Sequence, residues 1–177
     1  MMNKVSKVIL TFIFTLGASV FGLALYAMVG MSAFTLIQCS SGEGGIYIPS
    51  RVCEYYLKDY RLNQDDIEEL SVGGLDPILN LDNEIFKYEL ATVLINKGLD
   101  VNGINFYYAD EKMDLTPLHA AIIEQDVKRT QFLIESGANM ALTSNSLGNK
   151  TPLQYAHVLY QEQQTDELNT IINLLTP

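Results

Sequence analysis

The chain has 177 residues, 48% hydrophobic and 18% charged, with 11 basic and 21 acidic residues and a formal charge of −10. Its apolar content is too high for a disordered chain, and its length fits one domain with an appendage. Residues 1–39 hold only Lys4 and Lys7, so the other nine basic residues and all 21 acids, a net −12, fall in residues 40–177. That excess repels phosphate backbones and anionic headgroups alike, which excludes nucleic-acid binding and leaves only apolar contact with a membrane.

Val8 to Ile37 is a run of thirty residues without a charge, preceded by Lys4 and Lys7. A helix needs about 20 such residues to cross the hydrocarbon, and it satisfies its own backbone there. An uncleaved transmembrane anchor over residues 1–38 is the reading, with the bilayer met through residues 8–37. A cleaved signal peptide stays open, because Gly17-Ala18-Ser19 offers a small-residue site, although cutting there leaves an apolar mature terminus. Leu36-Ile37-Gln38-Cys39 is a poor lipobox, since Gln38 stands where a small residue is needed. The first basic residue after the run is Arg51, so charge counting keeps the start of the chain in the cytoplasm. The remainder is expected outside, in a bacterium at the periplasmic face of the inner membrane.

Cys39 and Cys53 are the only cysteines. In an oxidising compartment they can close one loop, worth ~3 kcal/mol in the chain-entropy picture; two unrelated thiols are the alternative. A zinc site lacks ligands, because the only histidines, His119 and His157, lie far along the chain. Residues 40–50, with Gly42, Gly44, Gly45 and Pro49, form a turn-rich connector. Val52, Tyr55, Tyr56 and Tyr60 recur at helical spacing, and Asn63 can cap a short helix QDDIEELS. Residues 39–74 are therefore a linker and opening helical cap that ends at Gly73-Gly74.

Residues 75–177 repeat themselves. Asp76-Pro77-Ile78-Leu79, Thr116-Pro117-Leu118-His119 and Thr151-Pro152-Leu153-Gln154 start 40 and then 35 residues apart. Leu94-Ile95-Asn96-Lys97-Gly98 matches Leu133-Ile134-Glu135-Ser136-Gly137 at nearly the same offset. A Thr or Asp side chain caps a helix start, and Pro at the next position sacrifices no hydrogen bond. Leu118, Ala121 and Ile122 share one face. A second helix, Val127 to Ser136, is expected to turn Val127, Phe132, Leu133 and Ile134 to the stack, and Gly98 and Gly137 supply left-handed stops. One such unit cannot bury its apolar side alone, so neighbours stack.

TPLHAA with LIESGAN resembles the ankyrin repeat, strongly over Thr116–Asn139, well over Thr151–Leu175 and in degraded form over Asp76–Asn102. Departures are the Asp at 76, the missing His in the first and third units, and spacings above the family's usual length of about 33 residues. The resemblance implies an all-α helix-turn-helix solenoid of about three repeats behind an N-terminal transmembrane helix. It also implies that the segments after the glycines project as fingers, the first one enlarged, and that His119 ties its turn to neighbouring backbone.

Ankyrin-like proteins bind other proteins through the fingers and the concave helical face, and they carry no reaction centre. The sequence agrees, with no nucleophile motif and no phosphate loop. Asp65-Asp66 and Glu68-Glu69 read as solvated helix faces, and a hydrolase built on such acids is remote. No enzyme activity, cofactor or metal is expected. Phe106, Tyr107 and Tyr108, followed by Asp110, Glu111 and Asp114, form the candidate contact, in which aromatics supply area and acids attract a basic partner. The other reading folds these rings back on the next repeat. An immunity or inhibitor protein that captures a toxin or enzyme in the periplasm is the leading function, and a scaffold that holds an enzyme or envelope complex at the membrane is the alternative.

Overall fold

The structure is a computed structural model that describes residues 3–105 and 114–176. Its ordered elements are all helical, apart from an isolated bridge between Ser144 and Lys150, so the all-α repeat fold expected from the sequence is the one observed. The chain divides into two compact units, residues 1–60 and 61–177, and the boundary falls inside the linker-and-cap segment.

The first unit holds α1 (Lys4–Val29), α2 (Ala33–Ser41) and α3 (Ser50–Tyr60). α1 is long and apolar enough to cross a membrane, and its most apolar stretch is not covered by protein, whereas Met28 near its end is buried. Thr11, Thr15 and Ser19 donate their hydroxyls to carbonyls three or four residues back, so these three hydroxyls are satisfied within the helix. The thirty-residue apolar run over 8–37 is not one continuous helix. α1 stops at Val29, and Ser32 accepts from the Thr35 N–H at 3.1 Å to start a new helix. Local capping overrides hydropathy at this point. Ala33, Leu36, Ile37 and Cys39 of α2 are buried, Gly42 ends the helix at φ 86°, and the Cys39–Cys53 disulfide joins α2 to α3, where Leu57 is also buried.

The second unit opens with α4 (Gln64–Ser71). Asn63 and Asp66 form a reciprocal capping box, and the Arg61 guanidinium donates to the Asp66 carboxylate at 2.5 Å. Burial pushes this carboxyl up, but Arg61 and the cap N–H groups hold it below its usual range. Helix pairs follow: α5 (Asp76–Leu79) with α6 (Glu84–Asn96), α7 (Pro117–Ile123) with α8 (Val127–Glu135), and α9 (Pro152–Gln163) with α10 (Asp166–Leu175). α7 packs on α9 and α8 on α10, as successive layers of a solenoid must.

Thr116 and Thr151 cap their helices, with Pro117 and Pro152 at the first helical position, and Gly98 and Gly137 close theirs at φ 106° and 89°. Leu118, Ala121 and Ile122 are buried, as is Ala156, whose small side chain lets α7 and α9 approach. Two expectations need correction. Asp76 is not a cap: it lies inside α5, and Leu75 holds the cap position without a side-chain bond. In α8 the buried face is Arg129, Thr130 and Leu133, whereas Val127, Phe132 and Ile134 are only half-buried.

Candidate functional site

The candidate binding surface is the row of fingers and helix starts of the second unit, and three tethers fix its geometry. His119 is fully buried. Its Nε2 lies 3.2 Å from the Lys150 carbonyl, which can only accept, so Nε2 carries the proton and Nδ1 accepts from the Thr116 hydroxyl at 2.9 Å. The turn of one repeat is thereby tied to the backbone that leads into the next. Burial pushes the imidazole below its usual range, against the Lys150 carbonyl and the Asp114 charge. Gln154 takes the matching place in the third unit. It is exposed and turns back to accept from the N–H of Thr151 at 3.0 Å, which completes a capping box within its own helix.

The second tether is Asp114. Its carboxylate accepts from Ser144 Oγ at 2.8 Å, from Ser146 N and Oγ at 2.9 and 2.8 Å, and from Asn145 N at 2.8 Å. Slight burial works against ionisation, but these donors outweigh it and hold the carboxyl well below the usual carboxylate range. Asp114 was expected to be part of an acidic rim that attracts a partner. Its bonds go to the 3-10 turn Asn145–Leu147 and its flank, so it has a structural role beside its charge. The third tether is Asn102, whose Oδ1 accepts from the Asn139 N–H at 2.8 Å and links the start of the first finger to the second.

Behind the surface, Arg129 is buried between repeats. Nη2 donates to Asp76 at 2.6 Å, and Nη1 donates to Glu124 at 2.7 Å and to Asn80 at 2.8 Å. Burial raises the Asp76 carboxyl, with Arg129 and Asn105 pulling it down. Nε has no hydrogen-bond partner among the described residues. On the outer helices, Tyr88 of α6 packs on Phe132 of α8 with ring centroids 4.9 Å apart, and Lys87 and Lys128 lie 5.4 and 5.3 Å from the Tyr88 ring centre. Glu84 pairs with both lysines. Burial, with Asp126 and Glu84 nearby, pushes the Tyr88 phenol up to about 12.

Phe106, Tyr107, Tyr108, Asp110 and Glu111 lie outside the described residues. Arg129, Asn80 and the Tyr88–Phe132 pair carry no motif. The one local signal for Arg129 is a cation four positions before Leu133, on the helix face that must be buried. His157 is exposed and makes no tether. Among the described residues no cluster of His, Cys, Asp and Glu could hold a metal.

Stacked helix pairs, tied finger to finger and tied again through the interior, define a solenoid that presents a fixed surface. Residues 113–145 match the family model for the ankyrin repeat, so this part of the chain is an ankyrin repeat, a protein-binding module. The third unit shares its layout of side-chain cap, proline and helix pair, and the first shares the proline and helix pair without the cap. No curated protein and no solved structure matches the chain.

Proposed function

We propose that the chain is a membrane-tethered binding protein whose repeat unit lies outside the cytoplasmic membrane, in a bacterium in the periplasm. There it captures a basic toxin or enzyme as an immunity or inhibitor protein. The observation that carries this reading is the pairing of an ankyrin repeat with an uncovered helix long enough to span a membrane. The lysines before the span, the closed Cys39–Cys53 pair and the net −12 of residues 40–177 support the orientation and the charge of the partner. Phe106, Tyr107, Tyr108, Asp110 and Glu111 make the contact.

The test places a photo-crosslinking side chain at Tyr107 or Tyr108 in intact cells. The expected adduct is with an exported, basic protein, and the Tyr107→Ala, Tyr108→Ala double variant loses that binding while its melting temperature is unchanged. Lost stability in that variant would instead fold the rings back on the stack. Cells without the chain should become sensitive to the captured protein. Unchanged growth with a dispersed envelope complex would favour the scaffold role.

A further inference from the structure

The tyrosines of α3 form a surface that the repeat stack does not use. α3 has two faces. Cys53 and Leu57, one turn apart, are fully buried. Val52, Tyr55, Tyr56 and Tyr60, at spacings of three and four, lie on the other side, and Tyr55 and Tyr60 remain 58% and 62% exposed. Tyr60 stacks on Tyr56 at 5.6 Å and meets Tyr55 edge-on at 5.8 Å. Tyr55, Tyr56 and Tyr60, with Phe21, Leu25 and Met28 of α1, enclose a cavity of about 430 Å³.

Three of those walls belong to the helix that reads as the membrane span, and this fixes the surroundings of the cavity. At about 1.5 Å of rise per residue, Phe21 to Val29 covers the last ~12 Å of the span. If the span crosses the bilayer, the cavity therefore opens into the outer hydrocarbon and the headgroup zone, where amphipathic Tyr rings are at home. The charges of α3 cancel, Arg51 and Lys58 against Glu54 and Asp59, so nothing on the helix selects an anionic headgroup. Asp59 is exposed and lies on the tyrosine side, and its need for water limits insertion to the headgroup level.

We propose that α3 is an interfacial helix and that a zwitterionic phospholipid fills this cavity, with an acyl chain against Phe21 and Leu25 and its polar end at the tyrosine hydroxyls. The proposal rests on the anchor reading of α1. With the disulfide holding α3 to α2, the tyrosine face has a set position relative to its own unit.

The chain lacks Trp, so Tyr55→Trp provides a single reporter, and Leu16→Trp, near the middle of the span, provides the control. The full-length variants are reconstituted in phosphatidylcholine vesicles whose acyl chains carry bromine either near the headgroup or near the bilayer centre. Tyr55→Trp should lose about half its emission to the shallow bromines and much less to the deep ones, whereas Leu16→Trp should respond chiefly to the deep ones. A quenched Leu16→Trp with an unquenched Tyr55→Trp overturns the proposal and leaves the anchor standing. In that case, shielding of the Tyr55→Trp reporter from acrylamide assigns the cavity to a protein, such as a second copy of the chain. If neither reporter is quenched, α1 is not in the bilayer, and both readings fall. The intact Cys39–Cys53 bond reports that each variant has folded.

Discussion

The guanidinium of Arg129 donates to the carboxylate of Asp76 at 2.6 Å and joins α8 to α5 across 53 positions of the chain. Removing one member of a buried ion pair leaves an uncompensated charge, which costs about 3–5 kcal/mol, whereas an apolar pair of similar volume is often tolerated. Arg129→Met should therefore destabilise the detergent-solubilised chain by about that much in chemical denaturation, and the Arg129→Met, Asp76→Leu double variant should recover most of it. Equal loss in both variants would show that the pair contributes no coupling.

His119 makes stability depend on pH. Its folded pKa lies below the 6.5 of the unfolded chain, so the fold favours the neutral ring. The contribution is complete above 6.5 and is lost as pH falls below it through the folded pKa. Melting temperature measured from pH 7.5 down to pH 5 should fall in the native chain. In His119→Leu that slope should disappear, and overall stability should be lower by about 1–3 kcal/mol because the Lys150 carbonyl loses its donor.

Asp114→Ala should cost only about 1 kcal/mol, since solvent screens much of its charge. A more specific outcome concerns acid. The Asp114 carboxyl is depressed from 3.8, so its contribution persists above that value and is lost as pH falls below it. A denaturation series between pH 5 and 2 should show a shallower acid limb in the variant.

Gly74 and Gly98 both have positive φ, 60° and 106°, but only at Gly74 would an added Cβ meet backbone, the Gly103 carbonyl oxygen at 2.6 Å. Gly98→Ala should cost about 1 kcal/mol from the left-handed conformation alone. Gly74→Ala should cost clearly more, because the Gly103 segment must move as well. Similar melting temperatures for the two would mean that Gly103 yields freely.

A membrane-impermeant maleimide applied to intact cells should leave Cys39 and Cys53 unlabelled until a reductant is added, and then label both. No other thiol is present in the chain to confuse the gel shift. Labelling that requires lysis would place the repeat unit in the cytoplasm.

The features legible in the sequence are those determined within a few residues. Thr116-Pro117 and Thr151-Pro152 mark helix starts, and Gly98 and Gly137 mark stops, because caps and left-handed turns are local chemistry. The break after Val29 was also written locally, in Gly30 and Ser32, but a long apolar run conceals it when hydropathy alone is followed. Arg129 was not legible. Its partners Asp76 and Asn80 lie 53 and 49 residues away, and the spacing to Leu133 puts Arg129 on a buried face without showing what compensates its charge. Asp114 was misread for the same reason, since the serines that occupy it lie beyond the next helix pair. The contact finger was read from composition alone, which gives residue types without positions.

The hydroxyls of Thr11, Thr15 and Ser19, each bonded back to its own helix, bear on how the anchor behaves among other membrane proteins. Helices in lipid recognise one another through close packing and through polar groups that seek a partner across the interface. At these three positions α1 presents no such demand, because their hydroxyl protons are committed within the helix. Around Thr11, Thr15 and Ser19 it offers neighbours apolar contact, little different from what lipid tails provide. If α1 spans a membrane, it would hold the repeats at the bilayer while leaving them free to diffuse sideways and to turn about the membrane normal. Any lasting address within that membrane would then be set by what the repeats hold.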